Sequence, residues 1–162
     1  MDAKLIKAFN EQIKNEIFSA YMYLGMAAYF ETINLPGFAK WMQVQTKEEL
    51  GHAMKMYSFL NDVGAAVELH AIAKPAADYK SALDVMKKTL AHEKLVTAMI
   101  DNLYNLAQKL GDNAATIFLQ WFVTEQVEEE KSASDVIALL DRIKPDSAQI
   151  VMLDVQMGKR GQ

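Results

Sequence analysis

The chain contains no cysteine. Disulfides, zinc-finger and iron–sulfur sites and thiol-nucleophile chemistry are excluded with it. Glycine and proline are scarce, at 7 and 3 residues, and apart from Gly25 and Gly51 they fall at breaks or near the chain end rather than inside the long periodic segments. No apolar run approaches the ~18 residues that read as membrane-spanning. The first residues, MDAKLIKAFNEQ, lack the apolar stretch of a secretory signal. Basic charge is not in excess: 17 Lys and Arg stand against 21 Asp and Glu, for a net charge of −4. Sequence-independent binding of nucleic acid needs the opposite balance. The expectation is a soluble, cytoplasmic protein with neither a nucleic-acid nor a membrane partner.

What is present is mostly helix-forming sequence. The 162 residues fit one domain, 1–162, with enough length to bury a core. Breaks stand at Leu35-Pro36-Gly37, from Gly64 to Lys80 with Pro75 inside it, at Gly111-Asp112-Asn113 and at Lys144-Pro145-Asp146. Gly111 suits a helix C-terminal cap, and Asp112 or Asn113 the next N-cap. Between the breaks, Ala, Leu, Met, Lys, Glu and Gln predominate, and no window alternates with period 2. The reading is all-α: helices over about 3–33, 37–63, 81–109 and 113–141, then a short one over about 147–157.

Loop lengths set the topology. The first and third connections are short and join antiparallel neighbours. The connector 64–80 is long enough, at about 3.3 Å per extended residue, to run the length of a ~40 Å helix. It predicts a crossover that leaves the second and third helices parallel.

On a helical wheel each long helix carries one apolar stripe, and each stripe is interrupted near mid-span. Glu16 interrupts Phe9, Ile13, Ala20, Tyr23 and Ala27; Glu49 and His52 interrupt Phe38, Met42, Met56, Leu60 and Val63. Glu93 interrupts Leu83, Met86, Leu90, Ile100 and Tyr104; Gln126 and Glu129 interrupt Ala115, Leu119, Phe122, Ala133, Val136 and Leu140. In a bundle of similar helices these positions meet at one level. Four carboxylates and an imidazole would then share a low-dielectric core, with no lysine or arginine on the stripes to offset them. Such a set needs protons or a pair of divalent cations. Oxygen donors with one imidazole suit iron or manganese better than copper. Glu49-x-x-His52 is a one-turn chelate, Glu49 stands where it can bridge two metals, and oxidation of Fe(II) by dioxygen is the natural chemistry.

Blander readings apply elsewhere. The 10 methionines are core filler at helical spacing. His70 lies in the connector and is expected exposed, and His92 points roughly 100° away from Glu93. Glu128, Glu130 and Lys131 fit a solvated face. Tyr23, two turns after Glu16, is either plain core with its hydroxyl on a carboxylate or an electron donor to an oxidised metal pair. Phe18, Met22, Met26 and Tyr29 form a second apolar face on the first helix, which argues for a partner subunit there.

The residues Asn10-Glu11-Gln12 with Glu16, Glu48-Glu49-x-x-His52, His92-Glu93 and Phe118 to Lys131 together resemble the prokaryotic non-haem ferritins, over essentially the whole chain. The second chelate is Gln126-x-x-Glu129, without histidine, and Leu50 stands where the haem methionine of a bacterioferritin would follow the bridging glutamate. Both features favour the non-haem branch over a haem bacterioferritin, so no haem is expected. A Dps-like, DNA-protecting mini-ferritin is the other alternative.

The resemblance implies a ferroxidase. One iron would bind Glu16, Glu49 and His52, and a second Glu49, Glu93 and Glu129 with Gln126 nearby. A third would take Glu48, Glu125, Glu128 and Glu129, and Tyr23 matches the family's site tyrosine. Dioxygen or hydrogen peroxide would oxidise the Fe(II), and a hollow 24-subunit homo-oligomeric shell would store ferric mineral.

Overall fold

The computed structural model describes residues 1–144 and 147–161. Pro145 and Asp146, part of the fourth expected break, lie outside the described residues. Among the described residues five helices follow one another: α1 (Ala3–Thr32), α2 (Pro36–Asp62), α3 (Ala82–Lys109), α4 (Asn113–Leu140) and α5 (Ala148–Met157). Each end falls within a residue of the sequence expectation, and among the described residues there is no strand.

Local chemistry explains the boundaries. Asp2, Ser81 and Asp112 cap α1, α3 and α4, their side chains accepting from Lys4, Asp84 and Ala115 backbone N–H groups. Gly111 closes α3 with φ +67°, a left-handed conformation that glycine adopts without strain. α2 begins with Pro36 in its first turn and has no cap from its own flanking Leu35. The cap comes from α5 instead: buried Asp154 accepts from the Phe38 N–H at 2.9 Å. This contact needs a bare backbone at Gly37, where an added Cβ would lie 1.7 Å from the Asp154 carbonyl oxygen.

The core divides in two, and the division reveals the topology. One apolar cluster joins Tyr23–Phe30 of α1 with Phe38–Met42 of α2, Ala82–Met86 of α3 and Ala133–Leu140 of α4. The other joins Leu5–Ile13, Ala53–Leu60, Val96–Ala107 and Ala115–Phe122. The starts of α2 and α3 therefore share one end of the bundle, as the crossover requires, while α1 opposes α2 and α3 opposes α4. Between the clusters lies a buried polar layer: Glu16, Ser19, Gln45, Glu49, His52, Thr89, Glu93, Gln126 and Glu129.

The second apolar face of α1 is largely covered within the chain. Met26, expected on that outer face, is buried in the core, because with Tyr23, Ala27 and Phe30 it follows the inward helical repeat. Tyr29 packs on Tyr79 of the crossover at 5.2 Å between ring centroids, and Gly25 lies under Pro75. The exposed large apolar side chains of α1 are Tyr21 and Leu24. Among the described residues no helix is long and apolar enough to cross a membrane.

Candidate metal centre

The polar layer exists because each helix carries acids or amides at the point where its apolar repeat pauses. Glu16, Glu49, Glu93 and Glu129 are each at most 5 % exposed. Donor atoms of Glu16, Glu49 and His52 lie within 4.8 Å of one another, as do those of His52, Glu125 and Glu129. His52 links the two sets. Its Nδ1 stands 3.6 Å from Glu49 Oε2 and 3.9 Å from Glu16 Oε2, and its Nε2 is 3.9 Å from Glu125 Oε1. The rings of Trp121 and Phe122 meet the imidazole edgewise and hold its plane.

Glutamines steady the carboxylates. Gln12 Nε2 donates to Glu16 Oε1 at 2.8 Å. Gln45 Nε2 donates to both Glu49 (3.2 Å) and Glu129 (2.7 Å). Gln126 Nε2 donates to Glu93 Oε2 at 3.3 Å, and the Tyr23 hydroxyl donates to Glu93 Oε1. Tyr23 thus makes the carboxylate bond that its face and spacing suggest.

The electrostatics are those of acids crowded out of water. Burial, then the Glu49 charge, raises Glu16 well above the usual carboxylate range. Burial, with the Glu93 charge second, lifts Glu49 to about 8 and Glu129 to about 7. Burial also raises Glu93. Glu16 Oε2 is buried and has no hydrogen-bond partner among the described residues. A divalent cation would relieve both the repulsion and the orphaned oxygen. The hard oxygen donors with one imidazole nitrogen suit iron or manganese.

Not every expected ligand joins the cluster. Glu93 and Glu128 belong to neither set of mutually close donors; Glu93 is buried on the Tyr23 hydroxyl and the Gln126 amide, and Glu128 is exposed. Glu48 turns to Arg160, whose Nη2 lies 2.5 Å from Glu48 Oε2. Arg160 is the positive charge that reading the stripes alone misses. It arrives from beyond α5, and its charge reaches Glu129 too. The carboxylate-holding roles of Gln12 and Gln45 are also missed; their signal is their place one turn before Glu16 and Glu49. His92 is less remote than the wheel implies. Its Nε2 lies 2.8 Å from Ser19 Oγ and its ring meets Tyr23 edgewise, and burial lowers its pKa to about 4. His70 is half-buried, its Nδ1 at 3.1 Å from Glu11.

A four-helix bundle with one crossover and an oxygen-rich layer buried across its middle is the architecture of the carboxylate-bridged metal proteins. Comparison with known proteins narrows the class. Residues 6–143 match the ferritin-like domain, and the chain belongs to the ferritin family. It is 38% identical over 160 residues to the bacterial non-heme ferritin of Staphylococcus aureus, covering 99% of this chain and 96% of that one. The non-heme ferritin of Staphylococcus haemolyticus is likewise 38% identical, over 156 residues. The open-pore ferritin of the hyperthermophilic archaeon Archaeoglobus fulgidus superposes with a TM-score of 0.97 at 43% identity, each chain covered to 99%. An engineered closed form of that ferritin gives 0.97 at 44% identity, covering 99% of this chain and 98% of that one.

Proposed function

We propose that this chain is the subunit of an iron-storing ferritin with ferroxidase activity. It binds Fe(II) in the polar layer, promotes its oxidation by dioxygen or hydrogen peroxide, and passes the ferric product to a mineral held inside a 24-subunit cytoplasmic shell. One observation carries the reading above all: four glutamates buried on four helices at one level, one with an orphaned oxygen, and no buried lysine or arginine beside them among the described residues.

Iron is the substrate, and the chain's own groups do the following. Glu16, Glu49 and His52 take one Fe(II); Glu49, Glu93 and Glu129 take the second, with Gln126 beside Glu93. Glu49 is shared, so the two ions are held as a pair that can give up electrons together. Binding expels the protons that burial keeps on these acids, and hydrolysis of the ferric product releases more. The Tyr23 hydroxyl holds Glu93 in place and is the residue best placed to supply an electron. Glu48, Glu125, Glu128 and Glu129 offer a third, weaker position. The layer lies between two apolar cores, which keep bulk water from the ions.

An anaerobic Fe(II) titration of the metal-free protein, followed by an oxygen pulse under stopped-flow absorbance, tests the reading. Two tight Fe(II) per chain, a third weaker one and a rapid ferric signal are expected. Absence of tight binding, or binding without rapid oxidation, would overturn it.

A further inference from the structure

Beyond α5 the chain turns back along α2. Gly158 lies against Gly37, and Gly161 against Val44. Between them Arg160 is laid over the ring of buried Trp41, its Cζ 4.1 Å from the ring centroid, with Nη2 on Glu48. The placement is tight, but the guanidinium is not fully satisfied. Its Nη1 is buried with no hydrogen-bond partner among the described residues. The pair is single-pronged rather than the two-pronged Arg–carboxylate fork that binds most firmly. Glu48 adjoins Glu49, which links the two main iron positions.

We propose that Arg160 is a built-in counter-cation for the acidic side of the centre. It holds Glu48 in the metal-free chain and surrenders it to an incoming metal ion. This rests on reading Glu48, Glu125, Glu128 and Glu129 as a third iron position. The guanidinium and the ion compete for Glu48, so the position is weaker than the other two and fills after them. When iron moves on, Arg160 returns and offsets the vacated charge. The position then works as a station in transit rather than a trap. Trp41 supplies the shelf on which the guanidinium waits.

The test is an anaerobic Fe(II) titration by calorimetry on the assembled protein, comparing wild type with Arg160→Gln, Arg160→Lys and Glu48→Gln. Arg160→Gln is expected to tighten the weakest Fe(II) by about fivefold, the scale of one partly exposed ion pair, and to alter the two tight ions much less. Arg160→Lys retains the charge and keeps the wild-type affinity. In a Trp121→Phe background, Trp41 emission should shift as the third ion saturates, and Arg160→Gln should abolish that shift. An unchanged or weaker third ion in Arg160→Gln, Arg160→Lys behaving like Arg160→Gln, or a silent Trp41 overturns the proposal. Glu48→Gln separates the two ideas. If it leaves the third ion in place, the third position itself is wrong and the role of Arg160 falls with it. If it removes the third ion while Arg160→Gln changes nothing, only the role of Arg160 fails.

Discussion

The side-chain amide of Gln45 joins two acids from different helices, Glu49 of α2 and Glu129 of α4, through one nitrogen. Two carboxylates that repel each other are thereby held on a common donor. The amide performs in the metal-free chain the task a cation performs better. Gln45→Leu should destabilise the metal-free protein by about 2 kcal/mol, the scale of a hydrogen bond to a charged group. The loss should shrink once Fe(II) is bound. Thermal melts with and without metal, under argon, check this. Equal losses in both states would show that Gln45 does not substitute for the ion.

Replacing Glu16 and Glu93 together by alanine removes one ligand from each main position. Fast oxidation of Fe(II) should fall by at least about a hundredfold, leaving only slow background oxidation. Stopped-flow absorbance measures the rate, and circular dichroism confirms that the helices persist. Survival of the fast phase would be incompatible with the assigned ligands.

Stability of the metal-free chain should decline with rising pH. Glu49 at about 8 and Glu129 at about 7 stay protonated in the folded chain after the unfolded chain, at the ordinary 4.5, has released its protons. The folded state binds more protons across that window, so each step upward in pH favours unfolding. His92, lowered from 6.5 to about 4, acts in the opposite direction below about 6.5. The decline is therefore cleanest between about pH 6.5 and 8. Melting temperatures across that range should fall in the metal-free protein and fall less in Glu49→Gln.

Gly37→Ala should release the α5 end of the chain. The added methyl would lie 1.7 Å from the Asp154 carbonyl oxygen, and a clash with backbone cannot be relieved by a side-chain rotation. The cost should be about 1–3 kcal/mol of local stability. It should appear as faster hydrogen exchange over 148–161, with α1, α3 and α4 unaffected. Because Arg160 rides on this segment, the variant should also reproduce the tighter third ion of Arg160→Gln. Unchanged exchange would mean that the helix ends re-dock around the methyl group.

Helix ends, the crossover and the four acids of the layer were legible in the sequence for a shared reason. Each rests on a local or periodic signal. Asp112 sits beside Gly111, and Glu16, Glu49, Glu93 and Glu129 each break an otherwise apolar stripe. Gln45 and Gln12 carry a weaker signal, the one-turn spacing before an acid, which many surface glutamines share. The union of Arg160 with Glu48 has no sequence signal at all, because it spans 112 positions and hangs on how α5 docks. Met26 shows the limit of the wheel. Its outward assignment fails because the inward repeat of α1 is broad enough to include it.

The two apolar clusters on either side of the polar layer resemble each other in chemistry, and hydrocarbon surfaces slide past one another at modest cost. A one-turn slip of the α3–α4 pair along α1 and α2 moves side chains about 5.4 Å. Leucine, methionine and phenylalanine would find new neighbours after such a slip, whereas Glu93 and Glu129 would lose Tyr23 and Gln45 and be left as bare charges in oil. The middle of the bundle is thus also its ruler: the groups that cost the fold most are those that permit only one alignment of its halves.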